Sequence, residues 1–538
     1  MARDHTVSVN TETFDYIVIG AGSSGSVVAA RLSEDARKRI LLIEAGPRDS
    51  SPWVHIPMGY GKLYTDRRHN WCYRSEPEPE LGGRTTYQPR GKLLGGTGSI
   101  NGMIYTRGQR EDFDSWQSAG CAGWGYADVL PYFKKAEHQA RGADEYHGIG
   151  GPIWVSDLSA HPLADAFIDA AISTGSPLNR DFNGASQEGA GYAQVNTRHG
   201  RRSSSASGHL KSAGKRANLK VLTSAEVTRI RFSERVAVGV EYRMDRTPFY
   251  AASLGETILC AGTFNSPKIL ELSGVGNAEI LSKFGVPVVT DLPAVGENLK
   301  DHFGVPLEFR CTRAITVNDL ASSFWRKALA SARYLITRGG QMASNGNFAN
   351  VYVRSSPEID RPDLLITLQA WCTDEHLKPQ PFSGFTIMVE HLRPKGSGSV
   401  HIRSADPSAA PQIRFNFFSE PEDRDAVVNG LAIARRIASA APMRALIESS
   451  LVNDLDGLDA VGFCDLARSH GLSLLHPTSS CRMGVDLGSV VDTALRVRGV
   501  GGLRIVDASV MPSIPSGNTN APSVMIAEKA ADLIKRDN

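Results

Sequence analysis

"FDYIVIGAGSSGSVVAARLSEDARKRILLIEAG", Phe14 to Gly46, decides the fold. Phe14 to Ile19 is rich in aromatic and β-branched side chains, the composition of a buried strand. Val27 to Leu32, "VVAARL", follows as an apolar helical segment, and Ile40 to Ile43 reads as a second buried strand. Strand, turn, helix and strand occupy about the ~30 residues of a βαβ unit. In its turn stand Gly20, Gly22 and Gly25, which serve respectively for a tight turn, for close backbone approach to a pyrophosphate, and for tight packing of helix on strand. The phosphates would rest on the helix N-terminus. Glu44 closes the second strand near the ~20-residue offset at which a carboxylate accepts hydrogen bonds from an adenosine ribose. Its charge disfavours a 2′-phosphate and hence NADP, while FAD and NAD both fit the pattern.

With 538 residues the chain exceeds the ~250–300 at which single cores stop growing, so more than one domain is expected. Hydrophobic residues at 41% and charged residues at 22% are ordinary globular usage, which argues against disorder. A net charge of +2, without basic stripes, argues against a nucleic-acid partner. Cys72, Cys121, Cys260, Cys311, Cys372, Cys464 and Cys481 are an odd set with no C-x-x-C, as expected of reduced thiols in a reducing compartment. The amino end has no apolar leader core, and no run reaches the ~18 apolar residues of a membrane span, so a cytoplasmic protein is expected.

Two further Gly-rich stretches carry pattern. "GKLLGGTGSINGMIYTRG", Gly91 to Gly108, is a loop whose exposed backbone amides could hold part of a large cofactor, with Asn101 as its one strongly polar donor and acceptor. "GTFNSPKILELSGVG", Gly262 to Gly276, follows a strand and predicts a helix from about Ser266, with Ser266 as cap, Pro267 in the first turn, and Gly274 and Gly276 ending it. Near the carboxy end, "LLHPTSSCRMG" places His476 five residues before Cys481 in a stretch unsuited to a helix. As a metal ligand His476 has only Cys481 for company, so no metal is expected. A packed, hydrogen-bonded histidine and a proton acceptor are the remaining readings.

These segments together resemble the flavoprotein glucose–methanol–choline (GMC) oxidoreductases. The two Gly-rich stretches match the family's two signatures, the Phe14–Gly46 stretch and the carboxy-terminal "HPTSSCRMG…DASVMPSIPSGNTNAPSVMIAEKAADLI" also fit, and the resemblance spans the whole chain. It implies bound FAD and an α/β architecture: a discontinuous Rossmann-like FAD-binding domain, about residues 11–160, 205–305 and 470–538, and an α+β substrate-binding domain built on an antiparallel sheet, about 161–204 and 306–469. It implies that Gly20, Gly22, Gly25 and Glu44 hold the ADP half, that Val227 meets the adenine through its backbone, that Gly96 and Asn101 approach the pyrophosphate and flavin ring, and that Asp507 binds near the ribityl and pyrophosphate. Some relatives tether FAD through a histidine in the first signature; Ile100 stands there, so FAD is expected to be held non-covalently.

The resemblance also gives His476 the role of general base in oxidising a hydroxyl to a carbonyl, which suits a group with pKa near ~6.5. Asn518 falls at the second active-site position; an amide is no base at neutral pH, so His476 would act alone and Asn518 would orient the hydroxyl. "APSVMIAEKAADLI" is an amphipathic helix, with Pro522 in its first turn and Asn520 placed to cap it and to join the cofactor-binding set. The expected function is FAD-dependent oxidation of an alcohol, primary in this reading, with O₂ or a quinone or cytochrome as electron acceptor. The alternative is a flavin-containing lyase or photoenzyme of the same fold; an NAD dehydrogenase is a further one. Choline is less favoured as substrate, because neither an aromatic cage nor a carboxylate for a trimethylammonium can be picked out.

Overall fold

The computed structural model describes residues 12–374 and 378–537. The expectation that residues 1–11 hold no leader lies outside them.

The strand Glu12–Ile19 is buried throughout from Tyr16 onward, because it is paired on both edges and covered on both faces. Ile40–Ile43 pairs with it in parallel, Tyr16 opposite Ile40 and Ile19 opposite Ile43, and Leu219–Leu222 continues the sheet beyond that. On the other side lies the 13-residue strand Thr247–Leu259. Its end pairs in parallel with Leu503–Ile505, while its beginning turns back antiparallel onto Val236–Met244, which pairs with Glu226–Ser233. A five-stranded parallel core thus carries a short antiparallel meander.

The helix Ser23–Leu32 packs against the carboxy-terminal helix Asn520–Asp537. Ser24 Oγ donates to the Ser523 carbonyl across 499 residues of chain, and Arg31 Nε lies 2.8 Å from Glu528 Oε2. The two ends of the sequence are therefore joined beside the first Gly-rich turn.

A second sheet is antiparallel, in the order Ile447–Ser450, Phe303–Cys311, Gly384–His391, Leu364–Gln369, Asn347–Val353, Gly189–Tyr192. Side chains alternate across it. Ile366, Leu368, Ile387 and Val389 point into an apolar core with Val427 and Leu431 of the helix Pro421–Ser439; Gly430 of that helix sits where a Cβ would come within 2.6 Å of Val389. Leu365, Thr367, Gln369, Met388 and Glu390 are on the opposite face. One hydrophobic core draws on segments 14–155, 206–295 and 481–534, and another mostly on 163–190 and 299–467. The boundary placed at 305 falls inside the strand Phe303–Cys311, and Leu472–Ser473 pairs with that strand, so both segments belong to the second sheet.

The second signature helix begins earlier than its residues suggest. It runs Gly262–Leu272, with Ser266 and Pro267 inside it. Ser266 Oγ donates to Asp507 Oδ2 at 2.6 Å and does not cap. Pro267 has no N–H to offer the Thr263 carbonyl four residues back; Ser480 Oγ donates to that carbonyl instead, at 2.6 Å, which removes the usual objection to an interior proline.

Candidate active site

Every expected site residue except Gly25 lines one cavity of about 390 Å³ between the parallel sheet and the polar face of the antiparallel one. Gly20 has φ +92°, and a Cβ there would lie 2.6 Å from the Cys260 carbonyl oxygen. Gly25 sits under the turn, where a Cβ would be 1.8 Å from the Gly20 oxygen. Gly22 differs: nothing but Gly96 Cα, at 4.0 Å, faces its missing Cβ, so the space it leaves opens to the cavity. Gly96 has φ +51° and its Cβ would be 2.7 Å from Gly22 Cα. The two Gly-rich loops thus touch backbone to backbone, and Ser23 and Ser24 at the start of the helix line the cavity beside them.

The polar residues of this cradle are already braced. Glu44 Oε2 and Oε1 accept the Ala21 and Gly46 amides at 2.9 and 2.8 Å, and burial lifts its carboxyl to about 7 against those two bonds. Each oxygen keeps a second lone pair for a ligand. Asp507 ties the Gly262–Leu272 helix to the turn Ala508–Val510: Oδ2 accepts Gly262 N–H and Ser266 Oγ–H, and Oδ1 accepts Ser509 N–H. Asn101 Oδ1 accepts Arg202 Nη1 at 2.7 Å. Asn520 is the first residue of its helix, and its Nδ2 donates to Ser23 Oγ at 2.7 Å, which locks the two helix N-termini side by side. Val227 is buried on the cavity wall, and Ile100 packs with Val54, Leu63 and Leu93.

At the other end stands His476, held by its backbone. Its N–H donates to Asp301 Oδ1 at 2.7 Å, and Leu475, in the left-handed region at φ +70°, has its carbonyl held by Arg90 Nη2 at 2.9 Å. Asp301 is fixed in turn by His302 N–H and Ser473 Oγ. The imidazole is gripped on both sides. Asn518 Nδ2 is 2.7 Å from Nε2, while Nδ1 faces His302 Nδ1 at 3.0 Å and Glu390 Oε1 at 3.3 Å. His302 Nδ1 is itself 2.9 Å from Glu390 Oε1, though not aligned as a hydrogen bond, and its Nε2 lies 3.0 Å from the Leu392 carbonyl. Burial pushes the Glu390 carboxyl up, but His302 and His476 outweigh it and hold it at about 2, ionised.

Hydrogen-bond accounting then orients the ring. Asn518 Nδ2 can only donate, so Nε2 of His476 keeps its lone pair toward it and the cavity, and the ring proton sits on Nδ1, 3.0 Å from His302 Nδ1. Asn518 Oδ1 is buried with no partner among the described residues. The ligating atoms of His302, Glu390 and His476 lie within 4.8 Å of one another. Cys481 is not part of this group: it is buried in the first core, and burial pushes its thiol well up.

His302, Glu390, Asp301 and Arg90 are absent from the sequence-derived set. Glu390 did leave a signal, as a charged residue on an otherwise apolar strand, "FTIMVEH". The cavity also contains what was missing for a cationic alcohol, a buried carboxylate in Glu390 and the aromatic rings of Tyr60, Tyr64 and Trp71.

Residues 14–304 and 394–527 match the amino- and carboxy-terminal GMC oxidoreductase family models. The chain belongs to the GMC oxidoreductase family. The alcohol dehydrogenase [acceptor] of Pseudomonas putida is 40% identical over 533 residues, covering 97% of this chain and 96% of that one. The mitochondrial choline dehydrogenase of Homo sapiens is 39% identical over 544 residues, covering 98% and 91%. Among solved structures, an FAD-dependent oxidoreductase from Chaetomium thermophilum superposes with a TM-score of 0.89 at 26% identity, covering 97% of this chain and 99% of that one. This GMC oxidoreductase is an FAD-dependent enzyme acting on CH–OH groups. The cradle fits that cofactor: two glycine loops in backbone contact, open space at Gly22, and helix N-termini aimed at the cavity provide for a pyrophosphate.

Proposed function

We propose that this oxidoreductase converts an alcohol, primary in our reading, to an aldehyde, with His476 as general base. The observation that carries the proposal is the orientation of one ring: Nε2 toward Asn518 and the cavity, Nδ1 backed by an ionised carboxylate. FAD would be held without a covalent bond, since Ile100 offers no nucleophile. Gly20, Gly22, Gly25, Glu44 and Val227 would serve its ADP half, and Gly96, Asn101, Asp507 and Asn520 its remainder. When bound, FAD supplies the hydride acceptor at N5.

An entering hydroxyl would part the 2.7 Å contact between Asn518 and His476, donating to Nε2 and accepting from Nδ2. Proton transfer to Nε2 leaves a positive ring, which Glu390 behind Nδ1 stabilises where charge develops. His302 holds that carboxylate in place. General base catalysis of this kind is worth about 10²–10⁴ in rate. Glu390 is turned to the two histidines, so uncharged alcohols are proposed in preference to choline. We retain a division into an FAD-binding part, 11–160, 205–305 and 470–538, and a substrate part, 161–204 and 306–469, except that Phe303–Cys311 and Leu472–Ser473 go whole to the substrate part, because the two cores draw on nearly these segments.

Anaerobic addition of a panel of alcohols, including choline, tests the reading. Loss of the yellow flavin absorption with primary alcohols is expected. Unchanged absorption throughout would overturn it in favour of lyase or light-driven chemistry. Admitting air or a quinone dye afterwards assigns the acceptor, and denaturation followed by filtration is expected to release all of the flavin.

A further inference from the structure

The helix Phe324–Thr337 is amphipathic with its apolar side facing outward. Tyr334 is its one buried residue, and Tyr334 Oη donates to the Gly200 carbonyl at 2.9 Å. At 3.6 residues per turn, Phe324, Leu335, Ala328, Ala332, Trp325, Ile336 and Leu329 fall in that angular order within an arc of roughly 140°, on the side away from Tyr334. Their exposure is extreme for such residues: Trp325 is 79%, Leu329 73% and Ile336 83% accessible. Arg326 and Arg333 border one edge of the arc, Lys327 and Arg338 the other, and the segment from Phe324 to Arg338 contains no acidic residue. Arg326 has Asp319 at 3.7 Å, and Arg338 covers the Tyr334 ring at 5.2 Å.

We propose that this helix docks the enzyme in the plane of an anionic lipid bilayer surface. An apolar arc flanked on both sides by cations is the pattern of an interfacial helix, which sinks its apolar face into the acyl boundary while its cations meet lipid phosphates. A second copy of the chain is the weaker occupant. A face about 20 Å long and about 12 Å wide offers only a few hundred Å², against the ~800 Å² per partner of a stable interface, and two such faces would bring like-charged borders together. No helix among the described residues is long and apolar enough to cross a membrane, so the attachment is peripheral. The chain that follows the helix runs to the wall of the cavity. The chain leaves it through Gln341–Ala343 to Asn345, whose carbonyl accepts Tyr60 Oη–H at 3.0 Å, and Tyr60 and Asn347 line the cavity. Docking would therefore turn that side of the catalytic cleft toward the lipid. The proposal does not rest on the reaction proposed above.

Flotation of the holoenzyme with vesicles tests it. Binding to mixed phosphatidylglycerol–phosphatidylcholine vesicles is expected, with weaker binding to phosphatidylcholine alone. The triple variant Trp325→Glu, Leu329→Glu, Ile336→Glu should lower the bound fraction by about ten-fold or more, with an unchanged melting temperature and unchanged activity on a water-soluble alcohol. Arg326→Glu with Arg333→Glu should remove the preference for anionic lipid. The inference is overturned if the wild type stays unbound, if the triple variant floats as well as the wild type, or if sedimentation shows a wild-type dimer that the triple variant converts to monomer without any vesicle binding.

Discussion

Asn518 Nδ2 lies 2.7 Å from His476 Nε2, and the carboxylate of Glu390 stands behind the same ring, 3.3 Å from Nδ1. One edge of the imidazole thus meets an amide at the cavity and the other a carboxylate. His476→Ala should slow flavin reduction by alcohol by about 10²–10⁴ with little change in FAD content. Asn518→Ala removes the amide that would hold the hydroxyl and should cost about ten-fold or more, split between kcat and KM. Stopped-flow reduction under nitrogen measures both.

Glu390→Gln keeps the shape and removes the charge. The ring then accepts a proton less readily, so flavin reduction should fall by roughly 10–10²-fold and the acid limb of the pH–rate profile should move to lower pH. A merely structural role would lower the amount of folded enzyme without displacing the profile.

Two glycines in the same turn should fail differently. Gly25→Ala puts a Cβ 1.8 Å from the Gly20 oxygen and should give little folded protein. Gly22→Ala meets nothing closer than 4.0 Å, so it should fold yet purify with a fraction of the wild-type flavin, as the added methyl enters the space left for the pyrophosphate. Soluble yield and the ratio of visible to protein absorbance separate the two.

Two histidines predict alkaline sensitivity. Burial opposes the charged form of His147, but Asp181 and Glu137 raise it to about 9; burial likewise opposes His401, and Glu271 and Glu297 raise it to about 9. Both folded values exceed the unfolded value near ~6.5, so this stability is fully present below about pH 6.5 and is lost as pH rises through about 9. Two protons released on unfolding in that window give a slope of at most about 2.7 kcal/mol per pH unit. Melting temperature should fall across it, and His147→Gln or His401→Gln should flatten the fall.

Legibility in the sequence follows distance along the chain. The Phe14–Gly46 unit is readable because strand, turn, helix and partner strand are adjacent, and Gly20 and Gly25 are required by contacts made within that unit or just beneath it. His476 and Asn518 stand out as residue types in recognisable local stretches, 42 positions apart. The pair His302 and Glu390 does not: His302 is 174 residues from His476, and only the strand pairing that sets Gly304 opposite Glu390 brings the three side chains together. Local residues misplace the start of the Gly262–Leu272 helix for a related reason, since a hydroxyl 217 residues away satisfies the carbonyl that Pro267 leaves free.

By itself the sequence determined the family and the βαβ turn and singled out His476 as the candidate base, because those depend on residue types at short spacing. Only the tertiary structure decided which nitrogen of His476 faces the cavity, that a buried carboxylate stands behind it, and that the apolar side of Phe324–Thr337 looks outward. A helical period marks a face as apolar, but what lies opposite that face is settled by packing between segments that the chain order keeps far apart.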